Sequence, residues 1–494
     1  MSDVEPLWTG GEWSFPDIER VYDEIERIGL GEMGLSCYPN QIEIISSEQM
    51  LDAYASIGMP VFYNHWSFGK HFSREWDKYK KGHSGLAYEL VINSDPCINY
   101  LMDGNTMTTQ CMVLAHAAMG HNHFFKNNYL FQEWTDAASI VDYLVFARDY
   151  VAEQERLHGR VTVERFLDSC HVLREYGIDR ARRPPKLSAA KERDRRRERE
   201  AHNVRQVSEL DRIVPAPEPQ QDGPRPFLPA PEENLLYLIE KHAPDLEPWQ
   251  RELVRITRRM AQYFYPQGQT KVMNEGCASW AHYTIMNRLH EKGLTTAGAH
   301  MDFLALHANV LFQPDFDDPR YYGINPYALG YAVFRDIERA ALDPDDEDRR
   351  WLPGVAGSRD PLGAIKEAVA NFRDESFLRQ YLSPKVMRRF RLFRLHDRAD
   401  APAYEVTAIH NERGYADIRE SFADDYEWHA HHPMLTAVAV DRTSRALTVE
   451  YRPHRGRGLR EPKAAFQHLC TLWTRPVIVR HAVTGQVLLS GERS

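Results

Sequence analysis

A mainly α-helical chain carrying a small α/β domain at its C-terminal end is the fold class the sequence predicts. Three observations carry this. Apolar residues recur at helical spacing through much of residues 1–400. The stretch TMTTQCMVLAHAAM (Thr106–Met119) is uncharged and mostly apolar or small, as in a helix buried on most sides. From about Pro402 the period changes to the alternation of strands. At 494 residues the chain is too long for one ordinary core. The expected organisation is a helical first half (1–180), a linker (181–231), a helical second half (232–400) and a small α/β domain (401–494).

In the first half, Pro16 and Asp17 open an amphipathic helix over Phe15–Ile28 that Gly29 closes, and Ser47 opens a second that Gly58 stops. Ser139–Leu157 and Thr162–Tyr176 are two more. The run Arg180–Arg212 is dense in charge and reads as a solvated helix, and Pro215–Pro231 holds seven prolines and reads as an extended linker. In the second half, Leu253, Val254, Ile256, Met260 and Phe264 mark a helix over Leu246–Tyr265, followed by helices over Glu275–His290 and Ala297–Asn309. The tail reads as strands at AYEVTAIH, LTAVAVDR, ALTVEYRP and RPVIVRHAV, with helices at Arg413–Tyr426 and Pro462–Trp473. Strand, helix, strand, strand, helix, strand is the ferredoxin-like split pattern, and such a domain usually recruits protein partners.

Composition bounds the function. With 61 basic and 71 acidic residues, the net charge of −10 argues against nucleic acid as the main partner. The beginning of the chain lacks the basic and apolar regions of a secretory signal, and no apolar stretch is long enough to span a membrane. Six scattered cysteines without a CxxC pair fit free thiols in a reducing compartment. The expected location is the cytoplasm.

Three apolar segments carry ionisable side chains. AHAAMGHNHFF holds His116, His121 and His123; NEGCASWAHY holds Glu275 and His282; AHMDFLALHANV holds His300, Asp302 and His307. The pairs His116/His123, Glu275/His282 and His300/His307 are each seven residues apart and so share a helix face. Seven residues also rise about 10.5 Å, too far for two ligands of one ion. His116 and His121 differ by roughly 140° around a regular helix. They converge only if the helix breaks, and Gly120 offers the break. A buried histidine is most often a hydrogen-bonded core residue, and that plain reading weighs most for His300 and His307. It weighs less for three histidines within eight residues, or for Glu275, which needs a cation, a metal or a raised pKa. His116, His121, Glu275 and His282 are the expected ligands of one divalent first-row ion, zinc or a similar metal. Glu275 is the general-base candidate if it is not a ligand, and one of the Glu275/His282 pair can instead orient a ligand. His123, His300, Asp302 and His307 are secondary candidates.

No HEXXH, GxSxG, P-loop or GxGxxG motif is present. NEGCA is similar to the Asn-Glu-Gly-x-Ala stretch that holds the third zinc ligand of gluzincin aminopeptidases, over five residues only. A ferritin-like di-iron site needs two Glu-x-x-His pairs, and Glu155 with His158 forms just one.

Long, unusual strings carry a wider likeness: YPNQIEIISSEQMLDAYASIGMP, YNHWSFGKHF, LAYELVINSDPCINYLM, HAAMGHNHFFKNNYLF, FYPQGQTKVMNEGCASWAHYTIMN, GINPYALGYAVFRDIERA and RDESFLRQYLSPKVMRRFRLF. With these the chain resembles the SpoVR family (stage V sporulation protein R) over nearly its whole length. The resemblance implies a link to the spore cortex, a peptidoglycan layer, or to stress survival in relatives that do not sporulate. Cys277 stands where a tryptophan is usual, Ala281 where another aromatic is usual, and His123 where some relatives carry serine. Two functions follow as expectations. One is a cytoplasmic metal-dependent hydrolase acting on cell-wall peptide precursors. The other is a non-enzymatic assembly or regulatory factor with a structural histidine core and a partner-binding tail.

Overall fold

The fold follows from a computed structural model that describes residues 5–55, 63, 65–66, 89–179, 228, 231–396, 400, 402, 405–408, 410–427, 432–453 and 462–491. Most of the linker at 181–231, including its charged run, lies outside the described residues. The chain is mainly helical, as the apolar periodicity predicts, with a small sheet near its C-terminal end. Chain proximity divides it into two units, residues 1–168, 259–433 and 453–459 in one, and 169–258, 434–452 and 460–494 in the other.

The larger unit draws helices from both sides of the linker into one apolar core. Ser14 and Asp17 cap each other's backbone at the start of the Phe15–Glu26 helix, and Pro16 pre-sets its first turn. Thr106 accepts a hydrogen bond from the Thr109 N–H and opens Met107–Leu114, every residue of which is buried. The Lys271–Glu291 helix runs through this core. Its first-turn N–H groups, buried and without partners inside their own helix, are satisfied from another helix, because the Asp374 carboxylate accepts from the Val272 and Met273 N–H groups at 2.9 Å each. Trp280 on it, and Phe303, Phe334 and Phe377 around it, are fully buried, each contributing about 1.5–3 kcal/mol of hydrophobic stabilisation.

Two glycine contacts let helices approach this centre closely. A Cβ on Gly120 would fall 2.5 Å from the Ala278 Cα. A Cβ on Gly330, in the Pro326–Leu342 helix, would land on the Val272 carbonyl oxygen and the Gly276 backbone. Only glycine leaves that space.

Three strands flank the core, in the order β1 (Asn40–Ile45), β3 (Cys97–Met102), β2 (Glu89–Ile92), with β1 parallel and β2 antiparallel to β3. Their short apolar runs lack clean alternation, so periodicity alone does not reveal them. β4 (Arg394–His396) pairs with β5 (Glu405–Ala408), and the Glu412–Asp424 helix buries Tyr415, Ile418 and Ala423 in the same core.

The smaller unit holds the four strands β6 (Met434–Val440), β7 (Leu447–Arg452), β8 (Val477–His481) and β9 (Val487–Gly491), paired in chain order. β7 and β8 are parallel and joined through the Pro462–Trp473 helix, whereas the outer pairs are antiparallel. The α/β character of the tail is as expected, but the ferredoxin-like strand order is not. The AYEVTAIH strand pairs with Arg394–His396 and leaves a β-β-α-β-β sheet. Asp441 side-chain bonds to Thr443 and Ser444 N–H groups tighten the first hairpin, and Gly485 at φ 70° turns the second.

Candidate metal centre

Sequence geometry sets His116 and His121 on different sides of a regular helix and calls for a break at Gly120. The structure solves the problem differently. Ala115–His121 is a wide π turn, in which the Asn122 N–H reaches back five residues to the Ala117 carbonyl. The widened turn brings the two imidazoles together, edge to face, with centroids 4.6 Å apart. Gly120 serves the close approach to Ala278.

Across that approach lies the Lys271–Glu291 helix with Asn274, Glu275 and His282. His121 Nδ1 donates to Asn274 Oδ1 at 2.9 Å, which leaves its Nε2 facing Glu275 Oε2 at 3.6 Å. His116 turns its Nε2 to the same carboxylate oxygen at 3.8 Å and to Glu89 Oε1 at 3.7 Å. Its Nδ1 meets His282 Nδ1 at 2.9 Å. Glu275 and His282 are two turns apart, too far to share one ion, and the His116 ring spans the gap between them. His282 is engaged at both nitrogens, because its Nε2 meets His307 Nδ1 at 2.7 Å.

Glu89 begins β2, opposite the buried Leu101 of β3. One donor atom each from Glu89, His116 and His121 lies within 4.8 Å of the others. Tyr327, at the start of the Pro326–Leu342 helix, stacks on His116 at 6.2 Å. The two carboxylates remain the partly open side of the site, with side chains 17% and 16% exposed.

Among the described residues, His116 Nε2 and Glu275 Oε2 are buried without a hydrogen-bond partner. A pair 3.8 Å apart is too long for a hydrogen bond. The donor atoms of a tetrahedral ion with bonds of ~2.1 Å lie about 3.4 Å apart. His116 Nε2 to Glu89 Oε1, at 3.7 Å, is near that spacing, the Glu89, His116 and His121 donor atoms all lie within 4.8 Å, and Glu275 Oε2 lies 3.6–3.8 Å from both imidazoles.

The electrostatics agree with a cation site. Burial disfavours the Glu275 carboxylate, but His116 and His121 outweigh it and hold its pKa below the ordinary value. Burial likewise lowers His116, but Glu275 and Glu89 more than offset it and raise it. Burial pushes Glu89 up. It brings His121 and His307 down to about 4, and His282 well below its usual value. The carboxylates thus draw positive charge to His116, whereas burial keeps His121 neutral, and a metal ion would supply that positive charge in place of the His116 proton.

The remaining candidates lie elsewhere. His123, on the Asn122–Asn127 helix, accepts at Nδ1 from the Ser36 N–H at 3.0 Å and lies by Asn127. His300 is half-buried and stacks on His290 at 4.1 Å. Asp302 is exposed. His307 joins the group through His282 alone. Glu89 is the residue that sequence reasoning missed. A cleft of about 450 Å³ lined by Phe316, Tyr321, Phe393, Arg389 and Arg391 includes none of these histidines. Among the described residues no helix is long and apolar enough to cross a membrane.

Comparison with known proteins agrees with the strings quoted above. The family model described as SpoVR like protein matches residues 12–431, a span that takes in the π turn, Glu89 and the Glu275 helix. The chain is also similar to the uncharacterized protein YcgB of Escherichia coli (strain K12), 50% identical over 475 residues, covering 95% of this chain and 93% of that protein. No solved structure matches. With a match over most of its length and a half-identical relative, the chain belongs to the SpoVR family.

Proposed function

We propose that the chain is a metal-dependent hydrolase in which Glu89, His116 and His121 hold one divalent first-row ion, zinc foremost, and Glu275 acts as general base. One observation carries this reading. Two imidazoles anchored at Nδ1 direct Nε2 toward two carboxylate oxygens at ligand-like spacing, and two of these atoms are otherwise orphaned. Two histidines and a glutamate leave an open position on zinc, as a catalytic site needs. Bound there, the ion would acidify a water and polarise an amide carbonyl. Glu275, against His121 and outside the three-ligand group, is placed to take a proton from that water. His282 orients rather than binds, since both of its nitrogens are engaged.

The substrate class comes from the family's link to the spore cortex: peptides of soluble cell-wall precursors, met in the cytoplasm. The test is release of new amine from a muramyl-peptide precursor by zinc-loaded full-length protein. The wild type is expected to turn over. Glu275→Gln is expected to retain zinc and lose at least about 100-fold in rate, as for a general base. Zinc-loaded wild type that leaves such peptides intact would refute the hydrolase reading and favour an assembly or regulatory factor.

A further inference from the structure

Beyond the four residues around the candidate ion, the structure holds a chain of three imidazoles. It runs from His116 Nδ1 to His282 Nδ1 at 2.9 Å, and from His282 Nε2 to His307 Nδ1 at 2.7 Å. His282 is fully buried and His307 is 7% exposed. Phe303, Tyr283 and Tyr331 surround His307, with ring centroids at 5.8, 4.8 and 4.9 Å.

A buried histidine needs one partner to offset its desolvation. Three rings in series exceed that need, and their arrangement has a direction. Each nitrogen-to-nitrogen contact carries one proton, so neutral rings can be ordered in only two ways. Either His116 donates to His282 and His282 to His307, or every bond is reversed. In the reversed order the His116 proton sits on Nε2, where it blocks coordination. In the outward order Nε2 keeps its lone pair, facing Glu89 and Glu275.

We propose that His282 and His307 are positioning residues that fix His116 as the Nδ1–H tautomer and aim its Nε2 at the ion. This rests on the metal reading above. His121 reaches the same end by simpler means, because the Asn274 Oδ1 can only accept and therefore fixes the His121 proton on Nδ1. The two ligand rings are thus oriented by an amide on one side and by an imidazole chain on the other. The chain makes a definite statement about protons: His282 and His307 both carry theirs on Nε2.

The experiment uses full-length protein, zinc alone as the probe, and two readouts. Competition with a chelator measures zinc affinity. Long-range ¹H–¹⁵N spectra of ¹⁵N-histidine-labelled, zinc-loaded protein read the tautomers. His282→Leu is expected to weaken zinc binding about 10- to 100-fold, as loss of an orienting partner does. His282→Asn, whose amide oxygen stands where Nδ1 stood, should recover most of that loss. His307→Leu should give a smaller loss, and it decides the matter if His282→Leu fails to fold. Zinc affinity unchanged in folded His282→Leu or His307→Leu, or a proton found on His282 Nδ1, would overturn the proposal and leave the metal reading standing. A wild type that takes up no zinc would overturn both.

Discussion

Two buried polar clusters lie in the larger unit, and the Pro326–Leu342 helix contributes to each. Around Asp348 both carboxylate oxygens find donors. Arg339 reaches both oxygens at 2.6 and 2.8 Å, and Lys385 and the Asp345 N–H reach Oδ2 at 2.8 and 2.9 Å. Around Glu275 the neighbours are imidazoles, a second carboxylate and the Tyr327 side chain, and His116 Nε2 and Glu275 Oε2 face one another without a hydrogen bond. Both clusters bury charge. At Asp348 the charge is neutralised by Arg339 and Lys385, a structural device, although Asp336 Oδ2, on the other carboxylate that Arg339 binds, is buried without a partner among the described residues. The second has an excess of acceptors aimed at one point, which is the arrangement of a site that expects a cation. Satisfaction of the central carboxylate by cationic donors, rather than burial, separates the two.

Substitutions can break that contrast. Asp348→Ala should cost about 3 kcal/mol in urea unfolding followed by tryptophan fluorescence, since it strips Arg339 and Lys385 of their shared partner. Zinc affinity should not change. The partners hold the Asp348 pKa below its ordinary 3.8. A depressed carboxylate stabilises the fold above its unfolded pKa and loses that contribution as pH falls through the folded value. The stability gap between wild type and Asp348→Ala should therefore be full at neutral pH and shrink below about pH 4. A gap that grows with acid would contradict the assignment. Glu275→Gln should show a pH profile of the same sign in the metal-free protein, because His116 and His121 hold the Glu275 pKa below its ordinary value: the gap to wild type is full at neutral pH and shrinks as the carboxylate protonates.

Gly330→Ala probes the helix between the clusters. Its Cβ would strike Val272 and Gly276 backbone, so a loss of about 1–3 kcal/mol is expected, together with weaker zinc binding as the Glu275 helix is displaced. A folded variant of wild-type stability and affinity would show that the close approach is unimportant. Asn274→Ala should lower zinc affinity about tenfold with little effect on unfolding. His123→Ala should leave affinity alone, and a clear loss there would move the site toward Ser36 and Asn127.

Much of this was legible in the sequence, for reasons that differ by element. Helix starts are written in residues such as Pro16, Asp17 and Ser47, and in the apolar period. His116, His121, Glu275 and His282 stand out because polar residues in apolar helices need partners, and they do meet. Their meeting depends on features the sequence hides. A π turn has no residue signature, so His116 and His121 read as diverging. Glu89 sits on a four-residue strand and looks like any acidic residue until β3 places it. The tail's strands are plain in their alternation, but pairing is a tertiary choice: β5 joins β4, and the remaining sheet forms without it.

The central claim is that one ion binds among Glu89, His116 and His121. Its most direct test is zinc stoichiometry and affinity by equilibrium dialysis of full-length wild type, His116→Ala and His121→Ala, each checked for folding by circular dichroism. The account predicts one zinc per wild-type chain and a loss of more than about 100-fold in affinity in both folded variants. Wild type that binds no zinc, with no rise in melting temperature on adding zinc, manganese or iron(II), would contradict it.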